Sequence, residues 1–395
     1  MKAVDAAVIG GGPAGTAAAV TAARAGLKTV LLEKASCVGG MPVKGHMSTL
    51  CGLYSNEAGP GPPEMIHGGF AREFAHLLTD IDSVDSPVRM GGAWVLPFRP
   101  ESFAAAAHRL LESEPGLDVL CGARFCQAEV YGRRIESVTY TADNSRFSIR
   151  TRAVVDASGD SVVCRAAGAP LILPDEAGQV PAIIFPVYNV TAGEISTVTA
   201  ARWHMTIQRG VEEGLLPHYA AYVNFLPTPD RGRLLVKLNL GALIKTDPQI
   251  SEHRLKQTAN ETRELLVRFF RRRIRDFETS ATKSGESQVL HREGIRGRGM
   301  YVLNRSDVLF AKKFPDAAAK GCWPVEQWDE NGNFSVKYPA GQYYEIPKRC
   351  LKSAAIENLL MAGKSLSADS GAMASVRVIG CCLATGEAAA KLMAP

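Results

Sequence analysis

Two periodicities of apolar positions alternate along this chain. A short apolar run at residues 4–9, Val-Asp-Ala-Ala-Val-Ile, stops abruptly at Gly10-Gly11-Gly12. The run predicts a buried strand and the glycines a tight turn. Residues 13–25 are rich in alanine and close at Gly26, which predicts a helix. Residues 28–33, Lys-Thr-Val-Leu-Leu-Glu, predict a second strand. Strand, helix, strand is the order of a parallel crossover unit. From 36 to 69 the chain is rich in Gly, Pro, Ser and His and predicts a long functional loop. Helices are predicted at 69–79 and 100–113. Strands are predicted near 117–121, 124–131, 134–141 and 146–151, the middle ones as a hairpin or meander. A further buried strand, Ala153 to Ala157, ends at Ser158-Gly159-Asp160.

The texture changes after residue 175. Strand-like runs at 183–190, 220–226 and 233–240 precede a strong helix at 251–276 and Pro/Gly-rich loops at 321–345. The last segment returns to the first pattern, with a strand at Leu359–Ala362, a turn at Gly363 and a closing helix from about 375 to 393. The expected organisation is a first domain built from 1–175 and 346–395, with 176–345 inserted as a mixed-sheet α+β substrate domain. A chain of 395 residues is long enough for two cores.

Composition narrows the class. A net charge of +5 permits an anionic ligand without pointing to DNA. The apolar run at the N-terminus is too short for a signal peptide, and Asp5 interrupts it. No stretch reaches the roughly 20 apolar residues of a membrane span. Nine scattered cysteines suit reduced thiols, hence a cytoplasmic location, better than a disulfide framework.

The strongest chemical signal is Gly10-x-Gly12-x-x-Gly15, lying between the predicted strand and helix, with Glu33 ending the next strand. Gly10 permits the turn, Gly12 lets a pyrophosphate approach the backbone, and Gly15 lets the helix pack on the strand. Free amides and the positive dipole end at the helix start suit phosphates. Glu33 can accept from ribose hydroxyls. An acidic residue there favours FAD or NAD over NADP. The fold class expected is α/β, a doubly wound Rossmann-like domain carrying the inserted one.

Further segments resemble the FAD-dependent oxidoreductase family whose members carry a C-terminal flavin-binding segment, within the glutathione-reductase-like flavoprotein superfamily. Glu33-Lys34 with Gly39-Gly40-Met41 is similar to the family's loop beside the ribityl chain. Val154 to Asp160 is similar to its second flavin motif. Tyr344-x-Ile346-Pro347-x-Arg349, Asn358 to Lys364, and Gly371 to Glu387 resemble its closing segment. The resemblance implies FAD. It places cofactor contacts at Gly10, Gly12, Pro13, Ala14 and Gly15, and at Glu33, Lys34, Gly39, Gly40 and Met41. It places others at His46, Phe125, Ala157, Ser158 and Gly159, and at Gly363, Lys364, Ser375, Val376 and Arg377. Ser375-Val376-Arg377 would enter a last helix aimed at the pyrimidine end of the flavin.

The sequence carries no second glycine fingerprint, so no nicotinamide domain is expected. His46 reads as a general base, a hydrogen-bond donor to flavin, a covalent attachment point or a packing residue. His291 to Tyr301 resembles a family segment. There Arg292 and Arg296 either grip a substrate carboxylate or tie the domains together by ion pairs. Gly321-Cys322-Trp323-Pro324 matches a family pattern. Gln327-Trp328-Asp329, however, stands where relatives often have a histidine, and Asp369-Ser370 where they often have a His-Glu pair. Arg268, Arg271, Arg272 and Arg275 form one face of the helix at 251–276. That face is open to a solvated, a lipid-binding or an RNA-binding reading, and Arg273 is expected inside the apolar stripe. No metal-ligand spacing is visible.

The expectation is an oxidoreductase moving a hydride between flavin and a C–N or C–O bond of a small substrate. Oxygen, a quinone or a partner protein would reoxidise the flavin. Reduction of an activated double bond, a flavin-containing RNA-interacting protein and a non-catalytic flavoprotein subunit are the alternatives. An oligomer is possible.

Overall fold

The computed structural model describes residues 2–56, 63–83, 86–175, 179–192, 196–226, 228–282, 287–328 and 334–393. The boundary expected at 175/176 and Asp329 touch or lie outside these described residues.

Four parallel strands form the centre of the main sheet, in the order Leu117–Cys121, Thr29–Glu33, Lys2–Ile9 and Ser145–Asp156. The late strand Leu359–Met361 joins parallel to the last of these. Ile9 and Met361 both pair with Asp156, and Leu32 pairs with Ile9, so the carboxyl ends of the strands share one edge. In doubly wound sheets ligands bind at that edge. Both chain ends therefore build the edge together, because a parallel strand can be added from any distance in sequence by a crossover.

Ser145–Asp156 is one continuous strand where two, at 146–151 and 153–157, were expected. Between them lies only Arg152, a polar residue at an exposed position, and no turn former. The first half pairs antiparallel with Arg134–Ala142, which pairs with Arg124–Tyr131 in a meander. The second half belongs to the parallel sheet. One face of the sheet is packed by Ala17, Ala18, Leu31, Phe74, Phe103 and Leu383, the other by Ala7, Ile9, Val138, Ile149 and Met361.

The closing segment is two helices, Ser370–Val376 and Ile379–Lys391, bent by 97°. One helix from 375 was expected. The break lies at Arg377-Val378, where Val378 turns extended at φ −73° and ψ 158°. The last helix lies along the first, Pro13–Arg24. Gly386 is in backbone contact with Ala14, and a side chain there would collide with the Ala14 carbonyl. Among the described residues no single helix is long and apolar enough to cross a membrane.

Residues 182–188, 233–239 and 223–226 form a separate antiparallel sheet. Its core holds Phe185, Trp203, Val236, Phe270 and Phe277. Helix Thr197–Glu212, not predicted, covers it chiefly through Trp203, Ile207 and Gly210, with Val211 and His204 at the margin. That narrow stripe among threonines is why no helical period was legible. The predicted helix at 251–276 runs Glu252–Arg273. Arg268, Arg271, Arg272 and Arg275 are exposed. Arg273 is exposed as well and pairs with Glu213 at 2.9 Å, contrary to expectation. The helix ends there, and Ile274 is extended, which frees the arginine from the wheel. The buried arginine of this helix is Arg263.

Gly386→Ala is expected to force the first and last helices apart. Overpacking of this kind costs about 1–3 kcal/mol. The urea midpoint should fall with an unchanged slope.

Candidate functional site

The glycine turn is shaped by backbone contacts. Gly10 adopts φ 106° against the Ala157 carbonyl, and a side chain on Gly15 would collide with the Gly10 carbonyl. The first helical bond runs from the Thr16 amide to the Gly12 carbonyl, 2.8 Å. With Pro13 at the first position, the Ala14 and Gly15 amides are left without a helical acceptor. A Cβ on Gly12 would meet protein only at 3.9 Å, at Gly40, so the space in front of it is open. Gly40 closes the opposite wall, since a Cβ there would lie 2.8 Å from the Gly12 Cα.

Glu33 is buried beside this turn. Its carboxylate accepts from the Gly11 amide at 2.7 Å, the Ala35 amide at 2.8 Å and the Lys44 ammonium at 3.1 Å. The acceptor expected for ribose is thus fixed in place by the chain itself. Lys34 is exposed, and Lys44, which the sequence reading missed, is the lysine that pairs here. Met41 opens the short helix Met41–Lys44. His46 follows it at φ 49°, next to Gly45, whose Cα lies against Leu290 of the second module.

Asp156 is fully buried and joins three segments. It accepts from the Ser158 amide and hydroxyl at 3.1 and 2.6 Å, from the Ser365 hydroxyl at 3.3 Å, and from the Val163 and Cys164 amides. The Gly159 amide donates to Ser365 at 3.1 Å. This locks the Ala157-Ser158-Gly159 turn to the Gly363 turn. Gly363, at φ 62°, sits on Ala14. Lys364 donates to the His291 carbonyl at 2.9 Å, and burial lowers its pKa. Phe125 packs among the apolar side chains behind the sheet. Ser375 is buried and its hydroxyl bonds Tyr344 and the Trp323 carbonyl, and Val376 is buried in the same layer. Those two side chains have packing partners, and Arg377 is the member of the trio that reaches polar ground.

The two candidate arginines part company. Arg296 is fully enclosed and bonds Glu293 at 2.8 Å and the Leu173 carbonyl at 2.9 Å. Arg292, also buried, donates to Asn239 at 2.8 Å and to the Val180 carbonyl, with its guanidinium 5.6 Å from the Trp328 ring centre. The Lys237 ammonium stands 4.2 Å over that ring. Glu326 accepts from both indoles, Trp328 at 2.9 Å and Trp323 at 3.0 Å. Burial and the cations Arg292 and Arg377 press the Lys237 pKa down to about 7 despite Glu326. Burial opposes ionisation of Glu326, but Arg377, Lys237 and the indoles outweigh it and hold its carboxyl below the usual range. Burial pushes the Cys51 thiol up to about 12, which makes it a neutral packing group. Lys237 and Glu326 were not singled out in the sequence, and Trp328 was noted only for standing in a stretch where relatives often have a histidine. A lysine inside a strand-like run and an acid two residues after Trp-Pro were the available signals. Among the described residues no cluster of three or more metal-binding side chains occurs.

A glycine cradle at a helix start, at the carboxyl edge of a doubly wound parallel sheet and beside a fixed acid, defines a dinucleotide-binding α/β protein. The chain belongs to the FAD dependent oxidoreductase family, which it matches over residues 5–394. A search of curated proteins finds no match. Among solved structures it is similar to the flavin-dependent brominase Bmp2, at 12% identity and TM-score 0.50, covering 100% of this chain and 79% of that one. It is similar to a geranylgeranyl bacteriochlorophyll reductase-like protein from Thermoplasma acidophilum, at 14% identity and TM-score 0.49, covering 100% and 78%. It is also similar to p-nitrophenol 4-monooxygenase PnpA from Pseudomonas putida, at 15% identity and TM-score 0.47, covering 76% and 71%. At 12% identity the likeness to Bmp2 is one of fold. The cofactor is FAD, and the residues fit it: two unpaired amides and open space at Gly12 suit the diphosphate, and Glu33 the ribose.

Gly12→Ala is expected to leave the apoprotein's unfolding within about 1 kcal/mol while weakening FAD uptake, because the added methyl enters the cradle. Glu33→Gln should weaken FAD by about tenfold to a hundredfold, the range for losing a charged hydrogen-bond acceptor. Quenching of flavin fluorescence on titrating apoprotein with FAD reads both.

Proposed function

We propose that this protein is an FAD-dependent oxidoreductase of the glutathione-reductase-like flavoprotein superfamily that moves a hydride between flavin N5 and a C–N or C–O bond of a small organic substrate. The observation that carries the reading is a meeting of segments. Cys51, which ends the strand Thr49–Cys51 after the cradle, packs in one cluster with Trp323 and Val378, and Glu326 bonds both Trp323 and the Trp328 ring on which Lys237 rests. These come from the antiparallel module, its neighbouring hairpin and the closing segment. Groups able to hold a substrate therefore border the loop that borders the cofactor.

FAD supplies the hydride acceptor, so the chain need only orient the substrate and handle one proton. The Ala14 and Gly15 amides would hold the diphosphate, and Glu33 the adenosine ribose. Arg292 binds the polar end of the substrate. Its guanidinium stays protonated near neutrality although burial and Arg377 lower its pKa. Arg296 positions this segment through Glu293. His46 is our candidate for the group that takes the proton from the substrate O–H or N–H. Residues 1–175 with 346–395 form the FAD domain, and 176–345 the substrate domain. Oxygen, a quinone or a partner protein would be the electron acceptor, in keeping with the single glycine fingerprint. The nine free cysteines support a cytoplasmic location.

Anaerobic mixing with a panel of amines, hydroxy compounds and enoates tests the reading at the flavin's visible band. Bleaching by an amine or hydroxy compound is expected. If these fail while enoates reoxidise the reduced protein, the reaction is instead reduction of an activated double bond. His46→Asn is expected to slow bleaching by about 10²–10⁴-fold, the usual contribution of an acid–base group, with FAD content unchanged.

A further inference from the structure

We infer that the groups around Trp328 form an anion-recognition site, and that the substrate of the flavin reaction carries a carboxylate. The inference rests on the reading in the preceding subsection and adds the substrate's chemical class.

The argument begins with charge. Lys237, Arg292 and Arg377 act on one another and on a single carboxylate, Glu326. Three cations against one anion leave two formal positive charges. That carboxylate is already engaged by the Trp323 and Trp328 indoles. Cys51, the remaining titratable group facing Lys237, is a neutral thiol.

Every unmet group here is a donor. Among the described residues Lys237 makes no hydrogen bond or ion pair, and rests only on the Trp328 ring. Arg377 reaches Gln179 at 3.3 Å. Its Nε, and the Nε2 of Gln179, are buried without an acceptor. Uncompensated positive charge in a protein interior is costly unless a partner arrives. Donors that converge without an acceptor define the partner as an anion with several lone pairs. The sources of the donors fix its place. Lys237 comes from the strand Arg233–Asn239, Arg292 from the segment touching Val180 and Asn239, and Arg377 from the break between the last two helices. The Trp328 ring holds the Lys237 ammonium over its face, and a carboxylate set between that ammonium and the Arg377 guanidinium would give both an acceptor.

Charge linkage follows. With its pKa near 7, Lys237 is largely neutral above that value. An anion beside it favours the ammonium and raises the pKa, so binding above pH 7 must take up a proton. Affinity then falls as pH rises, by up to about tenfold per unit.

The test titrates the FAD-loaded protein with acetate and benzoate against acetamide and benzamide, from pH 6 to 9, following the flavin's visible spectrum. At pH 6.5 at least one carboxylate is expected to bind ten times more tightly than its amide, with affinity falling above pH 7. Lys237→Met should weaken that carboxylate at least tenfold at pH 6.5 and leave the amide unchanged. Lys237→Arg should keep the affinity and abolish the pH dependence. FAD content is measured for each variant. Equal binding of acid and amide, no binding of either carboxylate, or wild-type pH profiles in both variants overturns the inference. A preparation that takes up no FAD defeats the flavin reading as well. One that takes up FAD without preferring anions defeats this inference alone.

Discussion

Backbone meets backbone at the mouth of the first helix, and much of the molecule is arranged around that contact. Gly15 lies on the Gly10 carbonyl, Gly40 on Gly12, and Gly10 on Ala157. Side chains at these places would push the segments apart and bury the free amides of Ala14 and Gly15 or turn them away. Because the amides remain open, the positive end of the helix is available to a diphosphate. Glu33 and Asp156 serve the same end from either side. Each spends its carboxylate on backbone amides of neighbouring turns, which fixes loops that have little side-chain packing of their own.

A second constraint acts around the Trp328 ring. There the inserted module, the hairpin Val325–Trp328 with Phe334–Lys337, and the closing helices bring their polar groups together. The excess is positive and the unmet groups are donors. The first site is built from backbone and is indifferent to most side chains beyond glycine. The second is built from long side chains and depends on each of them. A flavoprotein fold can keep the former and vary the latter, which is how one cofactor serves many substrates.

The chain's own pattern was enough for the cradle. A fingerprint is a local object: strand, turn, helix and the acid on the adjoining strand lie within 33 residues, and each glycine has a steric reason that can be read without coordinates. The parallel sheet and the return of the C-terminus to it were also legible, because short apolar runs ending in glycine mark buried strands. The inserted antiparallel sheet was legible in outline, while helix Thr197–Glu212, which buries so little, was not.

Tertiary structure alone decided the rest. It separated Arg292 from Arg296, which the sequence treats alike, because folding leaves Arg296 on its near neighbour Glu293 and carries Arg292 to the distant Trp328 ring. It put Arg273 at the surface, in the last turn of a helix that ends three residues earlier than expected. It also broke the closing helix at Arg377. Above all it assembled Lys237, Arg292, Glu326 and Arg377, which are spread over 140 residues of chain. Local steric fit is written in neighbouring residues, whereas the electrostatics of an interior depends on which distant charges come to share it, and no spacing along the chain encodes that.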